Sequence, residues 1–249
     1  MKTMLIILLS LSSMAAQWSK TSMSFLRGHN FELGDNDRTE ITWENASGFK
    51  YGDLFMWFEV TDTQQGTNNT ANAAYYGEFS PRISLGKIFN FKNQKRFIQD
   101  ILISNTFEFG RSASGVSRAR LHGIGFDLKI PYSAFFQFNF YLKNSPDKDG
   151  TTFQTTIAYM FPIKLGEKLN FQYSAYIDII HGAEGEGSTY TAPYSHTGQQ
   201  FLYDLGANWG EKNNYLIGIE YQWWDRKYGI PAPRGPVENV IKYMFKWIF

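Results

Sequence analysis

From residue 18 to the end of the chain, apolar or aromatic side chains recur at every second position, in runs broken by clusters of Gly, Asn, Asp and Pro. That period belongs to β-strands with two unlike faces. Twelve runs stand out, near 18–28, 38–47, 53–62, 75–88, 97–109, 119–130, 134–143, 150–161, 168–181, 198–208, 214–225 and 237–249. Most are about the 9–11 residues that a tilted strand needs to cross a bilayer. In one of them Tyr215, Ile217, Ile219, Tyr221 and Trp223 alternate with Gly218, Glu220 and Gln222. In another Phe136, Phe138, Phe140 and Leu142 oppose Gln137, Asn139, Tyr141 and Lys143. The composition agrees: 18% aromatic residues, 22 glycines and a mean hydropathy of -0.35 fit neither a helical membrane protein nor a disordered chain. No cysteine is present, which excludes disulfide scaffolds and thiolate chemistry. With 24 Lys plus Arg against 23 Asp plus Glu, the chain offers no global attraction for nucleic acid.

Residues 1–16 read as a secretory signal: Lys2, an apolar stretch from Met4 to Leu11, and small residues around a cut after Ala15 or Ala16. No later apolar run approaches the ~18 residues of a spanning helix, so a chain that enters a membrane does so as a barrel. Residues 17–249 then form one domain, an all-β transmembrane antiparallel β-barrel of about twelve strands, of the Gram-negative outer-membrane type. Three features turn the apolar face outward. The connections at 29–37, 63–74, 110–118, 144–149, 182–197 and 226–236 are mostly the longer ones, and those at 48–52, 89–96, 131–133, 162–167 and 209–213 mostly the shorter, as for extracellular loops and periplasmic turns. Tyr and Trp concentrate near strand ends, where interfacial girdles lie. The chain ends on an aromatic ladder, Ile241, Tyr243, Phe245, Trp247 and Phe249, the form of strand that the barrel-assembly machinery reads. A lipocalin-like soluble barrel closes with eight strands, too few for twelve runs.

Gly77-Glu78-Phe79-Ser80-Pro81-Arg82-Ile83-Ser84-Leu85 resembles the Pro-Arg strand of the nucleoside-specific channel family that includes Tsx and OmpK. Lys50-Tyr51-Gly52-Asp53-Leu54-Phe55-Met56, Gly125-Phe126-Asp127-Leu128, Asn139-Phe140-Tyr141 and Asn144-Ser145-Pro146-Asp147 follow in the family's order. Gly218-Ile219-Glu220-Tyr221-Gln222-Trp223-Trp224, Lys227-Tyr228-Gly229 and Glu238-Asn239 complete the likeness, which spans nearly the whole mature chain and is nearer to OmpK than to Tsx. The resemblance implies a monomeric outer-membrane barrel with a narrow lumen that passes nucleosides, and a surface that bacteriophage can use as a receptor.

With the apolar face toward lipid, the opposite face becomes a channel wall. Its ionisable residues are Glu44, Glu59, Glu78, Arg82, Asp100, Glu108, Asp127, Lys129, Lys143, Asp178, Asp204, Glu220, Lys242 and Lys246, an excess of carboxylate that repels anions. Phe55, Trp57, Tyr141, Tyr176 and Trp224 share that face. A nucleobase stacks on such rings for about 1–3 kcal/mol, and ribose hydroxyls donate to carboxylates. The candidate solute contacts are therefore Phe55, Trp57, Glu59, Arg82, Tyr141, Tyr176, Asp178, Asp204, Glu220 and Trp224, serving passive diffusion of small neutral solutes, with no catalytic residue, metal or cofactor. Pro81 is expected at a bulge or edge, and Arg82 beside it pairs across the lumen with a neighbour of Glu78 or with Asp100. Two alternatives stand: a surface receptor or structural barrel without transport, and a lipolytic enzyme built on His122 with Ser117 or Ser133, which lack a nucleophile elbow or an ordered triad. His181 and His196 bracket one outer loop but offer no third metal ligand.

Overall fold

The computed structural model describes residues 16–62, 74–112, 115–166 and 169–249; residues 1–15 of the expected signal lie outside them. The strands are β1 (Trp18–Gly28), β2 (Arg38–Phe49), β3 (Gly52–Asp62), β4 (Ala74–Ser84), β5 (Ile98–Ser112), β6 (Gly115–Leu128), β7 (Phe135–Asn144), β8 (Thr152–Leu165), β9 (Leu169–Ile180), β10 (Tyr194–Asp204), β11 (Tyr215–Asp225) and β12 (Glu238–Ile248). Each pairs antiparallel with its chain neighbours, and β1 pairs with β12 to close the barrel. Closure leaves no sheet edge to aggregate. The start of β1 and the end of β12 lie at one end of the barrel, the terminal end, because the strand number is even.

The two faces are inside out relative to a soluble protein. Phe25, Ile41, Phe79, Ile103, Ile124, Phe140, Phe201, Ile217, Ile241 and Tyr243 are exposed on the outer face, whereas Ser24, Ser84, Ser104, Asp100 and Glu238 are buried on the inner one. Burying polar groups while exposing rings is favourable only where the outside is hydrocarbon. Ile219→Arg, at mid-strand on the outer face of β11, is expected to cost about 2–4 kcal/mol, whereas Gln222→Arg on the inner face folds and changes conductance. Urea titration of the refolded barrel in vesicles checks this, and equal tolerance of both changes would reverse the facing.

Four local expectations are corrected. The tenth strand lies four residues earlier than 198–208, and it ends at Asp204 because that carboxylate accepts the amides of Ala207 (3.2 Å) and Asn213 (3.0 Å) and winds residues 205–209 into a 3-10 turn. The expected outer loop at 110–118 is largely strand, since β5 and β6 extend as one long hairpin. The run at 75–88 stops at Ser84, whose hydroxyl accepts the Lys87 amide (2.9 Å) and starts the short helix α1 (Leu85–Ile88). Pro81 sits at neither bulge nor edge: β4–β5 pairing simply skips Ser80 and Pro81 with its register unchanged on either side. Proline has no N–H to donate there, and a Thr106-to-Ser80 hydroxyl bond (2.9 Å) spans the gap instead.

Candidate functional site: the barrel interior

Strand register carries twelve carboxylates to the inner face, from Glu40, Glu44, Asp53, Glu59, Glu78, Asp100, Glu108, Asp127, Asp178, Asp204, Glu220 and Glu238. The bases in the same register are Arg38, Arg82, Lys143, Lys242 and Lys246, with Lys20 and Lys164 exposed at the terminal rim. Lys129, expected on the wall, instead follows β6 and is exposed. The interior is thus more acidic than the sequence alone indicated, because Glu40, Asp53 and Glu238 lie near strand ends where the alternation is hard to read.

Most of these charges neutralise one another. Near the terminal end, Arg82 donates through Nε and Nη2 to both oxygens of Asp53 (2.8 Å each) and through Nη1 to Asp127 (3.0 Å). These, not Asp100 or a neighbour of Glu78, are its partners. Asp100 accepts from Ser84 (2.6 Å) and the Gly86 amide (3.0 Å) and pairs with Lys92. Higher in the barrel, Lys143 donates to both oxygens of Glu108 (2.8 and 2.9 Å). On the far wall β1 presents the small residues Ser22, Ser24 and Gly28 inward, and two lysines of β12 reach over it to β2. Lys242 pairs with Glu40 (2.5 Å) as well as with Glu220 (2.9 Å), and Lys246 pairs with Glu44. An apolar cluster of Leu26, Leu202, Leu216 and Met244 fills the same side.

At the loop end, three loops close over the wall. Lys227 is buried with Glu238, its ion-pair partner, beneath the rings of Phe31, Trp224 and Tyr228. Burial pulls the Lys227 ammonium down to about 8, against the opposing pull of Glu238. The Glu32 amide donates to Glu238 (3.0 Å), and the Ala192 amide to the Gly229 carbonyl (2.7 Å). Gly229 has a φ of +68°, and a Cβ there would meet Thr191, so only glycine lets these two loops touch.

Between these layers Glu59, Glu78 and Asp178 have no ion-pair partner among the described residues. Glu59 accepts from Thr42 (3.3 Å), Glu78 from Tyr76 (3.3 Å), and Asp178 from Thr156 (2.5 Å) and Gln154 (3.2 Å), which leaves acceptor capacity on each. Tyr176 lies within electrostatic reach of all three and of Glu220. Its ring is seated by Gly198, the cross-strand partner on β10, where a Cβ would come within 2.6 Å of the phenol ring. Its hydroxyl meets His196 Nε2 (3.1 Å), and the His196 ring stacks on Trp224 at 3.6 Å. Trp57 faces Glu78 directly across β3–β4 and packs against Tyr76 at 5.4 Å.

Trp57, Glu59, Tyr176, Asp178 and Glu220 therefore line one stretch of the interior, and Phe55 faces inward below them with 39% exposure. Trp224 is held among His196, Tyr194 and Tyr228, its Nε1 buried without a hydrogen-bond partner among the described residues. Arg82 is committed to its two aspartates, Tyr141 packs with Ala119 and Leu121, and Asp204 caps its turn. Sequence reasoning missed Tyr76, Tyr194 and His196; the last two fell outside the strand drawn at 198–208. His181 bonds Thr155 on the outer face (2.8 Å), away from His196 on the inner. His122 lies on the outer face with Asn105 (2.8 Å) as its partner.

Residues 15–239 match the model of a protein family described as nucleoside-specific channel-forming protein, Tsx. No curated protein matches the chain. Among solved structures, a NanC porin is similar at 11% identity over 90% of this chain and 98% of that one, with a TM-score of 0.51. A KdgM porin is similar at 10% identity over 92% and 99%, with a TM-score of 0.48. At such identities the NanC likeness speaks for the barrel fold alone.

Proposed function

Because the chain belongs to the nucleoside-specific channel-forming Tsx family, and is on that ground an outer-membrane channel for small solutes, we propose that nucleosides are the solutes it selects. The observation that supports this most is the pairing of aromatic faces with carboxylates that have no counter-ion among the described residues. Trp57, Tyr76 and Tyr176 offer stacking surface to a flat base, while Glu59, Glu78 and Asp178 accept hydrogen bonds from ribose hydroxyls. An interior with this excess of carboxylate repels phosphorylated or other anionic solutes. Contacts spread along the wall suit passage, which requires a solute to bind well enough to enter and weakly enough to leave.

In this reading the start of β1, the end of β12 and the connections beside them face the periplasm, residues 1–16 direct export, and β12 with the adjoining Phe249 is presented to the barrel-assembly machinery. The test is block of single-channel current in planar bilayers by nucleosides, sugars and amino acids. Nucleosides are expected to block at submillimolar concentration, and Trp57→Ala to weaken that block about tenfold while ion conductance holds or rises, since ~1.4 kcal/mol of stacking is lost. A current that no nucleoside alters at millimolar concentration would exclude the assignment.

A further inference from the structure

The connection between β4 and β5, at the terminal end, departs from what a water-facing turn requires. Residues 85–97 hold Lys87, Lys92, Lys95 and Arg96 and no acid, and they expose Ile88, Phe89, Phe91 and Phe97. Phe89 is 69% and Phe97 63% exposed, among the most exposed rings of the barrel. Two of the cations are spent internally: Lys87 donates to the carbonyls of Phe49 (2.8 Å) and Gly52 (3.2 Å), and Lys92 pairs with Asp100 (3.1 Å). Lys95 and Arg96 form no ion pair among the described residues. The Lys129 amide donates to the Phe97 carbonyl (2.8 Å), so the backbone of a third exposed cationic residue runs alongside this segment.

A cleft of about 440 Å³ opens along this segment, lined by Phe91, Arg96, Phe97, Ile98 and Ile101 together with Gln99 and Asp100. Ile101 belongs to the outer face of β5, so the cleft continues the surface that meets hydrocarbon. Exposed rings with cations at their border match the boundary between acyl chains and headgroups. The nearby acids do not compete: Asp100 is buried with its partners, and Asp127 is bound to Arg82.

We propose that this cleft binds an anionic phospholipid of the periplasmic leaflet, its phosphate held by Lys95, Arg96 and Lys129 and its acyl chains by Phe91, Phe97 and Ile98. The proposal shares the orientation assigned above but not the choice of transported solute, so failure of nucleoside block leaves it standing. Folded barrel in detergent, offered phosphatidylglycerol and phosphatidylcholine in equal amounts, is expected by native mass spectrometry to retain the former about tenfold more. The combined change Lys95→Gln, Arg96→Gln and Lys129→Gln should abolish the preference, whereas Lys164→Gln with Lys212→Gln, elsewhere on the same rim, should preserve it. Equal retention of the two lipids by the unaltered barrel, or an undiminished preference in the triple variant, would overturn the proposal. Displacement of phosphatidylglycerol by excess inorganic phosphate would also overturn it, because a free anion would then suffice. The chain has no cysteine, so Phe97→Cys gives one site for a nitroxide. In phosphatidylglycerol-containing vesicles that label should be relaxed by oxygen, and relaxation chiefly by a water-soluble nickel chelate would count against lipid contact.

Discussion

Replacing Arg82 with methionine is expected to destabilise the barrel by about 3–5 kcal/mol, read as a lower urea midpoint for loss of the compact form that resists unfolding on unheated gels. Arg82 is 7% exposed and holds Asp53 through a two-pronged bond and Asp127 through a third nitrogen, which ties β4 to β3 on one side and to β6 beyond β5 on the other. Methionine fills much of the volume but leaves two carboxylates facing each other without a cation, and that uncompensated charge is the main cost. Arg82→Lys restores the charge without the planar fork, so it should recover only part of the loss. An unchanged midpoint for Arg82→Met would mean that water satisfies the aspartates as well as the guanidinium does.

The second large effect lies at the opposite end. Lys227→Met strands Glu238, which among the described residues keeps the Glu32 amide (3.0 Å) and a long contact from Gln222 (3.5 Å), and about 3–5 kcal/mol of stability should go with the pair. Adding Glu238→Gln should return most of it, since no buried charge remains. A pH signature separates this from simple loss of packing. Burial sets the Lys227 ammonium at about 8 in the folded protein against 10.5 ordinarily. Between those values the unfolded chain binds a proton that the folded one has released, so stability rises with pH across that window. Below it both states are protonated and the burial cost is carried in full. Lys227→Met should remove this segment of the pH dependence, and its persistence in the variant would assign the slope to another group.

The facing of the strands was legible in the sequence because side-chain direction depends only on odd and even position. Even the tenth strand, which the alternation places four residues late, keeps its faces: a shift by an even number leaves Gln200, Leu202 and Asp204 pointing inward. What period two cannot supply is the height at which residues on different strands meet. Period two therefore puts Arg82 on the right wall but points it to the wrong partners, since Asp53 and Asp127 reach it through the register of three strand pairs. Strand ends were the other blind region. Glu40, Asp53 and Glu238 sit where a run of alternation is too short to read, although each is acidic and beside an aromatic or branched residue. The Tyr176–His196–Trp224 column needs both kinds of information, as it joins three adjacent strands within one step of the register and its His196 lies in a stretch that reads as loop.

The joint between β1 and β12 is the one strand pair whose members come from opposite ends of the chain, so it forms last if the hairpins assemble in sequence. A slip of two residues there would keep every side chain on its proper face and would pass the hydrophobic test. It would also carry the ammonium groups of Lys242 and Lys246 about 7 Å from where Glu40 and Glu44 wait on β2. Because both lysines act across β1 rather than on it, the two ion pairs form only when three strands are in register together. The small residues of β1 thus let the far side of the joint verify the near side, and a barrel sealed out of register is left with its carboxylates unmatched and a ready route to reopening.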